Sequence, residues 1–399
     1  MFKLKPWAQN LLLILGSVVS GIVIVEIGLR IAGISYPILY THDQHRGSAL
    51  RAGAAGWQRD EGEAYIQINS DGLRDQEHSK AKPENTLRIA VLGDSYAAAL
   101  QIPMEKTFWS VMEKELSRCK ALGGKDVEAI NFGVSGYSTA QELITLRHHA
   151  SDYEPDIVLL AFFTGNDIIN NLIVLEPEKI KPFFIYQNGE LVVDSSFRNH
   201  PQYLLEQSLP LQTAKKLSDY SRIIQVIFRL EDLIKASHYK RLQRNDSEIA
   251  ELGLYHSIYK EATDSAWQEA WQVTEELVML IRDEVREQKA DFLVVTLSNG
   301  IQVDPDPSVR QEFIEKLGIS DLFYPDRRIK TLGERENFTV LNLAQPFQAY
   351  AEKEQVFLHG FENTSLGSGH WNEEGHHLAG QMIAQKLCQD MIKDVSYSG

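Results

Sequence analysis

Cysteine is scarce in this chain: 399 residues contain only Cys119 and Cys388. Two isolated cysteines form neither a zinc-ligand motif nor a redox motif. Both fall in stretches that we predict as helical, so we expect small buried hydrophobic side chains rather than a functional pair. Basic residues are also outnumbered, with 40 Lys and Arg against 55 Asp and Glu and a net charge of −15. This balance argues against nucleic-acid binding, which needs clustered Lys and Arg.

Charged residues are nearly missing from residues 11–34, "LLLILGSVVSGIVIVEIGLRIAGI", where Glu26 and Arg30 are the exceptions. These two are four positions apart, so on a helix they share a face and can pair. A helix of this length spans roughly 30 Å or more, which is enough to cross a bilayer. No A-x-A-like cleavage site follows, and no cysteine is present for lipidation. We therefore favour an uncleaved membrane anchor over a cleaved signal peptide or a buried helix of a soluble protein.

The flanks of this segment predict its orientation. Lys3 and Lys5 precede it, so we expect residues 1–10 to form a cytoplasmic tail and the rest of the chain to lie outside, in the periplasm or the extracellular space. Residues 35–86 are turn-rich and polar, and we predict an extracytoplasmic lead-in made of loop rather than packed elements.

Five short apolar runs follow from residue 87 onward, each ending in Gly, Asn, Asp or Pro. They are "LRIAVLGDS", "VEAINFGVSG", "PDIVLLAFFTGND", "ADFLVVTLSNG" and "NFTVLNLAQPF". Runs of this kind suit strands that are buried on both faces of a parallel sheet, and helical stretches separate most of them. The pattern predicts a doubly wound α/β domain with a mostly parallel five-stranded sheet over residues 87–399. A helical insertion over 170–290 interrupts it and is either a substrate-facing lid or a cap without catalytic duty.

Polar clusters follow the first three predicted strands. They are Asp94-Ser95, Gly133 with the nearby Ser135, and Asn166-Asp167. Because ligands bind beyond the carboxyl ends of the strands in open α/β sheets, we expect these loops to converge on one rim. Each cluster taken alone also fits a plain helix cap or turn.

Taken in order with "HWN" near the C-terminus, these blocks resemble the SGNH hydrolases, also called GDSL esterases. The matching residues are Ser95 in "GDS", Gly133 in "NFGVSG", Asn166 in "TGND" and His370 in "HWN". The segment "NSDGLRD" is similar to one found in membrane-anchored bacterial members. The resemblance implies a flavodoxin-like fold and an ester substrate, with no metal or organic cofactor.

The resemblance also implies roles for these residues. Ser95 is the expected nucleophile and His370 its general base. The expected oxyanion donors are the backbone N–H groups of Ser95 and Gly133 and the side-chain amide of Asn166. Asp94 and Asp167 are expected to be structural residues near the site.

The histidines near His370 have other predicted roles. His376 and His377 would lie in the last helix as surface or packing residues. A metal site built from His359, His370 and His376 is an alternative, although its spacing matches no zinc signature.

The sequence departs from the family where an acid should orient His370. The family carries Asp three or two residues before this histidine, and here those positions are Gly367 and Ser368. Glu362 and Asp304 are candidate substitutes. A Ser-His dyad, with a backbone carbonyl or water holding Nδ1, is the other alternative.

A second departure concerns the glycine that many relatives carry soon after the nucleophile. Here Ala99 and Leu100 follow, and a side chain at either position would narrow the site and favour a small acyl group.

The leading hypothesis is an esterase hydrolysing small-chain acyl esters outside the cytoplasm, with O-acetyl groups on cell-envelope glycans as a candidate substrate. The alternatives are an O-acyltransferase using the same residues and a catalytically inactive binding module.

Overall fold

The computed structural model describes residues 5–243, 249–251 and 254–392. Its helices are α1 (Pro6–Ile31), α2 (Ser95–Ala98), α3 (Phe108–Leu116), α4 (Thr139–His148), α5 (Asp167–Asn170), α6 (Pro201–Glu206), α7 (Leu209–Leu217), α8 (Arg222–Gln243), α9 (Ser265–Glu287), α10 (Pro307–Leu317), α11 (Tyr324–Glu336), α12 (Ala344–Glu354) and α13 (Glu373–Lys386). Its strands are β1 (Tyr40–Asp43), β2 (Gly47–Leu50), β3 (Ala55–Gln58), β4 (Ala64–Gln67), β5 (Thr86–Gly93), β6 (Asp126–Asn131), β7 (Ile157–Phe163), β8 (Phe183–Gln187), β9 (Glu190–Asp194), β10 (Ile249–Glu251), β11 (Leu254–Tyr255), β12 (Asp291–Leu297) and β13 (Thr339–Asn342).

The five predicted apolar runs form one parallel sheet in the order β13-β12-β7-β5-β6. Alternate residues of each strand point to opposite faces, and both faces are covered. On β5, Ala90 and Leu92 pack with α4 and α9, whereas Ile89 and Val91 pack with α3 and α13. The predicted doubly wound α/β fold is therefore confirmed.

The long connection between β7 and β12 has two parts. The first contains the β8–β9 hairpin and the helices α6, α7 and α8. The second is α9, whose buried face, including Trp271, Leu277 and Ile281, packs against the sheet side that also carries α4. Within the predicted insertion, α9 is thus the crossover helix that returns the chain to the sheet. Residues 244–248 and 252–253 of that span lie outside the described residues.

The prediction that residues 35–86 are loop is wrong. The chain there forms two antiparallel pairs, β1–β2 and β3–β4. Ala64, Ile66 and Ile68 alternate with exposed residues and enclose a small core that continues to Leu100 and Tyr137. This period-two pattern is short and flanked by Gly, Asp and Glu, so turn-forming residues dominate the composition of the segment.

The prediction of two buried thiols is also wrong, because Cys119 and Cys388 form a disulfide. Cys119 follows the end of α3 rather than lying in it, and Cys388 lies in the π-helical turn Leu387–Met391 that extends α13. The bond joins the segment after α3 to the turn after α13, and both helices lie on the same side of the sheet.

Helix α1 is, among the described residues, the one helix long and apolar enough to cross a membrane. The predicted pair within it is present, with Arg30 2.8 Å from Glu26. Lys3 of the predicted cytoplasmic tail lies outside the described residues.

Candidate active site

Ser95 lies at the first position of α2, directly beyond the carboxyl end of β5. Asp94 caps this short helix by accepting a hydrogen bond from the Tyr96 N–H at 2.9 Å. Gly133, in the loop after β6, passes so close that a Cβ atom there would stand 2.4 Å from the Cβ of Ala97. Only glycine fits against α2 at this point, which gives the glycine of the "NFGVSG" block a packing role.

His370 faces Ser95 from the loop that precedes α13. Its Nε2 lies 2.8 Å from Ser95 Oγ. The loop is held by an antiparallel bridge between His359 and Trp371, and by a hydrogen bond from the Gly360 N–H to the His370 carbonyl at 2.9 Å. The structure thus brings together the serine and histidine that the sequence motifs predict.

The group behind His370 is Glu61, from the turn between β3 and β4. Glu61 Oε2 lies 2.5 Å from His370 Nδ1, and Oε1 accepts the backbone N–H of His370 at 2.8 Å. Gly369 makes room for this contact, since a Cβ there would stand 2.3 Å from Glu61 Oε1. The carboxylate therefore contacts both the ring and the backbone of the histidine.

The turn that carries Glu61 is clamped in place. Asn363 accepts the Gly62 N–H at 2.9 Å and donates to the carbonyls of Arg59 and Gly62. Burial by itself would raise the pKa of Glu61, but hydrogen bonds from His370 outweigh it, and the pKa lies below its ordinary value. Glu61 is therefore held in the charged form that a histidine base requires.

The candidate acids named from the sequence lie elsewhere. Glu362 is exposed, and Asp304 accepts the N–H of Asp306 at 2.9 Å. Sequence reasoning missed Glu61 because this residue precedes Ser95 in the chain and lies in a segment predicted to be loop. The one local signal was a carboxylate-rich turn, "RDEGE", which many surface loops share.

The expected oxyanion donors are near Ser95, but two of them already have acceptors. The side-chain amide of Asn166 donates to Asp94 Oδ2 at 3.2 Å, and the Gly133 N–H donates to Asn131 Oδ1 at 2.9 Å. An amide nitrogen carries two N–H bonds, so Asn166 retains a second one. Asp167 accepts the Phe163 N–H at 2.9 Å and so braces the turn that carries Asn166.

A cluster of buried carboxyl groups lies behind this loop, formed by Asp94, Glu142 and Asp167. Burial raises the pKa of each, and for Glu142 and Asp167 the neighbouring carboxyl groups raise it further. Neither side-chain oxygen of Glu142 has a hydrogen-bond partner among the described residues. The raised pKa values mean that these groups take up protons at a higher pH than exposed carboxyl groups do.

The "NSDGLRD" segment supports the short helix that begins with Ser95. Arg74 is buried and donates to the carbonyls of Ala98, Ala99 and Ile102. Ala98 is the last residue of α2, and the other two residues follow it. Burial lowers the pKa of Arg74 to about 10. Ala99 takes the left-handed conformation, with φ of 46°, which a glycine at this turn would adopt without strain.

A cavity of about 800 Å³ opens beside Ser95 and His370. Leu100 is one of the residues that line it, whereas Ala99 is not. Its far walls come from residues 36–40 and from helices α6, α7 and α8. Part of the insertion therefore borders the site.

The remaining histidines do not join this group. His359 Nδ1 lies 2.8 Å from the Gly369 carbonyl oxygen and Nε2 lies 3.0 Å from Ser298 Oγ. His376 is buried in α13 and accepts the Phe108 N–H at 3.2 Å, while His377 is exposed. In residues 5–243, 249–251 and 254–392, no cluster of His, Cys, Asp and Glu could hold a metal ion.

One curated relative settles the family. An arylesterase of Vibrio mimicus is 36% identical over 151 residues, which are 37% of this chain and 73% of that protein. The chain belongs to the SGNH hydrolase family. It is therefore a carboxylic ester hydrolase. No protein-family model matches the chain.

Solved structures resemble this SGNH hydrolase only distantly. A GDSL-like lipase from Bacteroides thetaiotaomicron is 10% identical, with a TM-score of 0.33 over 78% of this chain and 91% of that one. An acetylxylan esterase from Geobacillus stearothermophilus is 11% identical, with a TM-score of 0.37 over 75% and 93%. At these scores nothing about the activity follows from the likeness.

Proposed function

We propose that this SGNH hydrolase cleaves carboxylic esters through an acyl intermediate on Ser95, with His370 as general base and Glu61 as the acid that orients it. The observation that supports this proposal is the chain of contacts from Ser95 Oγ to His370 Nε2 at 2.8 Å and from His370 Nδ1 to Glu61 at 2.5 Å. The chain of contacts ends at the wall of a cavity large enough for a substrate.

The acylation step follows from this geometry. Glu61 accepts the Nδ1–H of His370, so Nε2 carries the lone pair that takes the Ser95 proton. The Ser95 oxygen attacks the ester carbonyl carbon and forms a tetrahedral intermediate. His370 then returns the proton to the departing alcohol oxygen as the carbon–oxygen bond breaks.

Deacylation uses the same groups with water as nucleophile. His370 removes a proton from water, the hydroxide attacks the acyl carbon, and the acid is released as Ser95 regains its proton. We assign oxyanion stabilisation to the Ser95 N–H, the Gly133 N–H and the second N–H of Asn166. The bond from Gly133 to Asn131 Oδ1 would then be shared with the oxyanion.

We propose that the catalytic domain lies outside the cytoplasm and that α1 remains uncleaved as its membrane anchor. The disulfide supports this placement, because such bonds persist in oxidising compartments. The contacts of Glu26 support retention of α1, since Glu26 accepts the N–H groups of Arg222 and Ile223 at 2.9 and 3.2 Å. Cleavage after α1 would leave the start of α8 without this cap.

For the substrate we propose an ester with a small acyl chain, such as an O-acetyl group on a cell-envelope glycan. Leu100 supports the small acyl group because it borders the cavity beside Ser95. The larger part of the cavity would hold the alcohol half. The inactive-module hypothesis rested on a missing acid, and Glu61 removes that reason for it.

The test compares catalytic residues with matched neighbours, using acetyl, butyryl and octanoyl p-nitrophenyl esters. Ser95→Ala and His370→Ala should each lower kcat by about 10³-fold or more. Ser135→Ala, which also changes a cavity-lining serine, and His377→Ala, which changes an exposed histidine, should retain activity. Equal activity in the catalytic and control variants would refute the proposal.

Acyl transfer is the competing outcome of the same assay. A sugar acceptor that raises product formation while suppressing release of free acid would assign transfer rather than hydrolysis to the same residues.

A further inference from the structure

The surface of α6, α7 and α8 is unusually apolar. Nine large hydrophobic side chains are exposed between residues 204 and 234, whereas ten more are spread over the rest of the described chain beyond α1. The nine are Leu204, Leu205, Leu209, Leu217, Tyr220, Ile227, Leu230, Leu233 and Ile234. Water-facing protein surfaces rarely carry such a concentration without a partner.

Leu205 of this surface also lines the cavity, whereas helix α8 presents different faces to the cavity and to the solvent. Gln225, Phe228 and Asp232 recur at three- and four-residue intervals and line the cavity. Ile227, Leu230 and Ile234 recur at the same intervals and are exposed. One face of α8 therefore forms a wall of the substrate cavity while a second face presents an apolar stripe outward.

The outer end of α1 is attached to the start of α8. Glu26 accepts the backbone N–H groups at that start, and Arg30 donates to the Tyr220 carbonyl at 2.7 Å. Just beyond α1, the Tyr36 N–H donates to Gln225 Oε1 at 2.9 Å. The apolar stripe thus begins where the candidate membrane span ends.

Aromatic side chains surround the same point. Trp57, on β3, lies 4.8 Å from the guanidinium carbon of Arg59, and Arg59 donates to the Gly33 carbonyl directly after α1. Trp57 and Tyr36 are both partly exposed, and Tyr220 is 79% exposed. Trp and Tyr at the end of a span are typical of the membrane–water interface.

From this continuity we propose that α6, α7 and α8 rest on the outer leaflet of the bilayer that α1 spans. The stripe of Ile227, Leu230 and Ile234 enters the headgroup region, and the cavity takes esters whose alcohol half is anchored in that leaflet. This inference rests on the proposed function and deepens it by naming the substrate class. Because the chain carries a net charge of −15, the contact depends on apolar insertion rather than on attraction to anionic lipids, and it persists at high salt.

The first test places fluorophores on the proposed contact in the full-length protein, reconstituted into phosphatidylcholine vesicles. Both native cysteines are paired, so one introduced cysteine can be labelled selectively. Probes at Ile227→Cys and Ile234→Cys should be quenched about twofold or more by nitroxide lipids, in low and high salt alike. A probe at Val309→Cys, an exposed apolar position on α10, is the control and should stay unquenched.

The second test uses the paired substitution Ile227→Glu with Ile234→Glu. Hydrolysis of an ester embedded in vesicles should fall about tenfold, while hydrolysis of soluble p-nitrophenyl acetate stays unchanged. If lipid nitroxides quench neither probe, the inference is overturned. This includes the outcome in which a second copy of the chain covers the stripe and shields the probes. An equal loss on both substrates would also overturn it. If the wild type hydrolyses no ester, the proposed function fails, and the quenching experiment still decides the membrane contact.

Discussion

Glu61→Gln is the substitution that probes the active site most directly. The Glu61 carboxylate offers two acceptor oxygens, and each receives an N–H from His370. Glutamine has nearly the same shape but offers one acceptor and one donor. In either orientation of the amide, one N–H of His370 therefore faces an NH₂ group.

The larger consequence concerns the tautomer of His370. When the amide NH₂ faces Nδ1, the imidazole proton moves to Nε2, and the ring can no longer accept the proton of Ser95. In serine proteases with a Ser-His-Asp triad, the equivalent change of Asp to Asn lowers kcat about 10⁴-fold. The opposite amide orientation keeps the tautomer and loses only the backbone contact, so we expect a fall in kcat of about 10²- to 10⁴-fold. That range corresponds to roughly 3–5 kcal/mol.

The assay is steady-state hydrolysis of p-nitrophenyl acetate, with circular dichroism to confirm folding. Glu61 does not line the cavity, so KM should change little. Glu63→Gln is the matched control, because Glu63 is two residues away, exposed and paired with Arg59 at 3.0 Å. A folded Glu61→Gln variant that retains most of its kcat would refute this account of His370. A large loss at Glu362→Gln or Asp304→Asn would move the acid to one of those residues.

Three further predictions follow from residues outside the catalytic group. Burial lowers the pKa of His359 to about 4, so the unfolded state takes up a proton at higher pH than the folded state does. Lowering the pH from 6.5 to 4 should therefore reduce the free energy of unfolding by about 3 kcal/mol. In urea titrations, the stability of His359→Asn should fall less steeply with acid than that of the wild type. Parallel pH curves for the two proteins would contradict this prediction. Replacing both Cys119 and Cys388 by serine should lower the free energy of unfolding by about 2–4 kcal/mol. Wild-type protein treated with reductant is the second comparison. An unchanged melting temperature would disprove a stabilising disulfide. Arg74→Met leaves three backbone carbonyls without their donor, so we expect the free energy of unfolding to fall by at least about 3 kcal/mol and kcat to fall as well. Wild-type activity together with wild-type stability would show that α2 does not need these hydrogen bonds.

The sheet could be predicted from the sequence because its strands are continuous apolar runs that end in turn residues. Such runs have few alternatives to burial between two helical layers. The convergence of Ser95 and His370 could also be predicted, since both lie in motifs whose order and spacing resemble one family.

Glu61 and the disulfide could not be predicted in the same way. The position of Glu61 depends on the packing of the β3–β4 pair against the loop before α13, through the Asn363 clamp and the space left by Gly369. Two cysteines at opposite ends of a domain carry no local signal of their pairing. Both features are set by tertiary contacts between segments that are distant in the sequence, and a local pattern does not record those contacts.

The separation of Glu61 and His370 along the chain also determines when the enzyme can become active. The two residues are 309 positions apart, and the disulfide closes a loop of similar size. In the export that we propose, Glu61 and Ser95 leave the channel early, and His370 leaves it only near the end of translocation. The serine of a nascent chain still in the channel would then be unactivated. Ester cleavage would begin only after nearly the whole protein had reached the far side of the membrane.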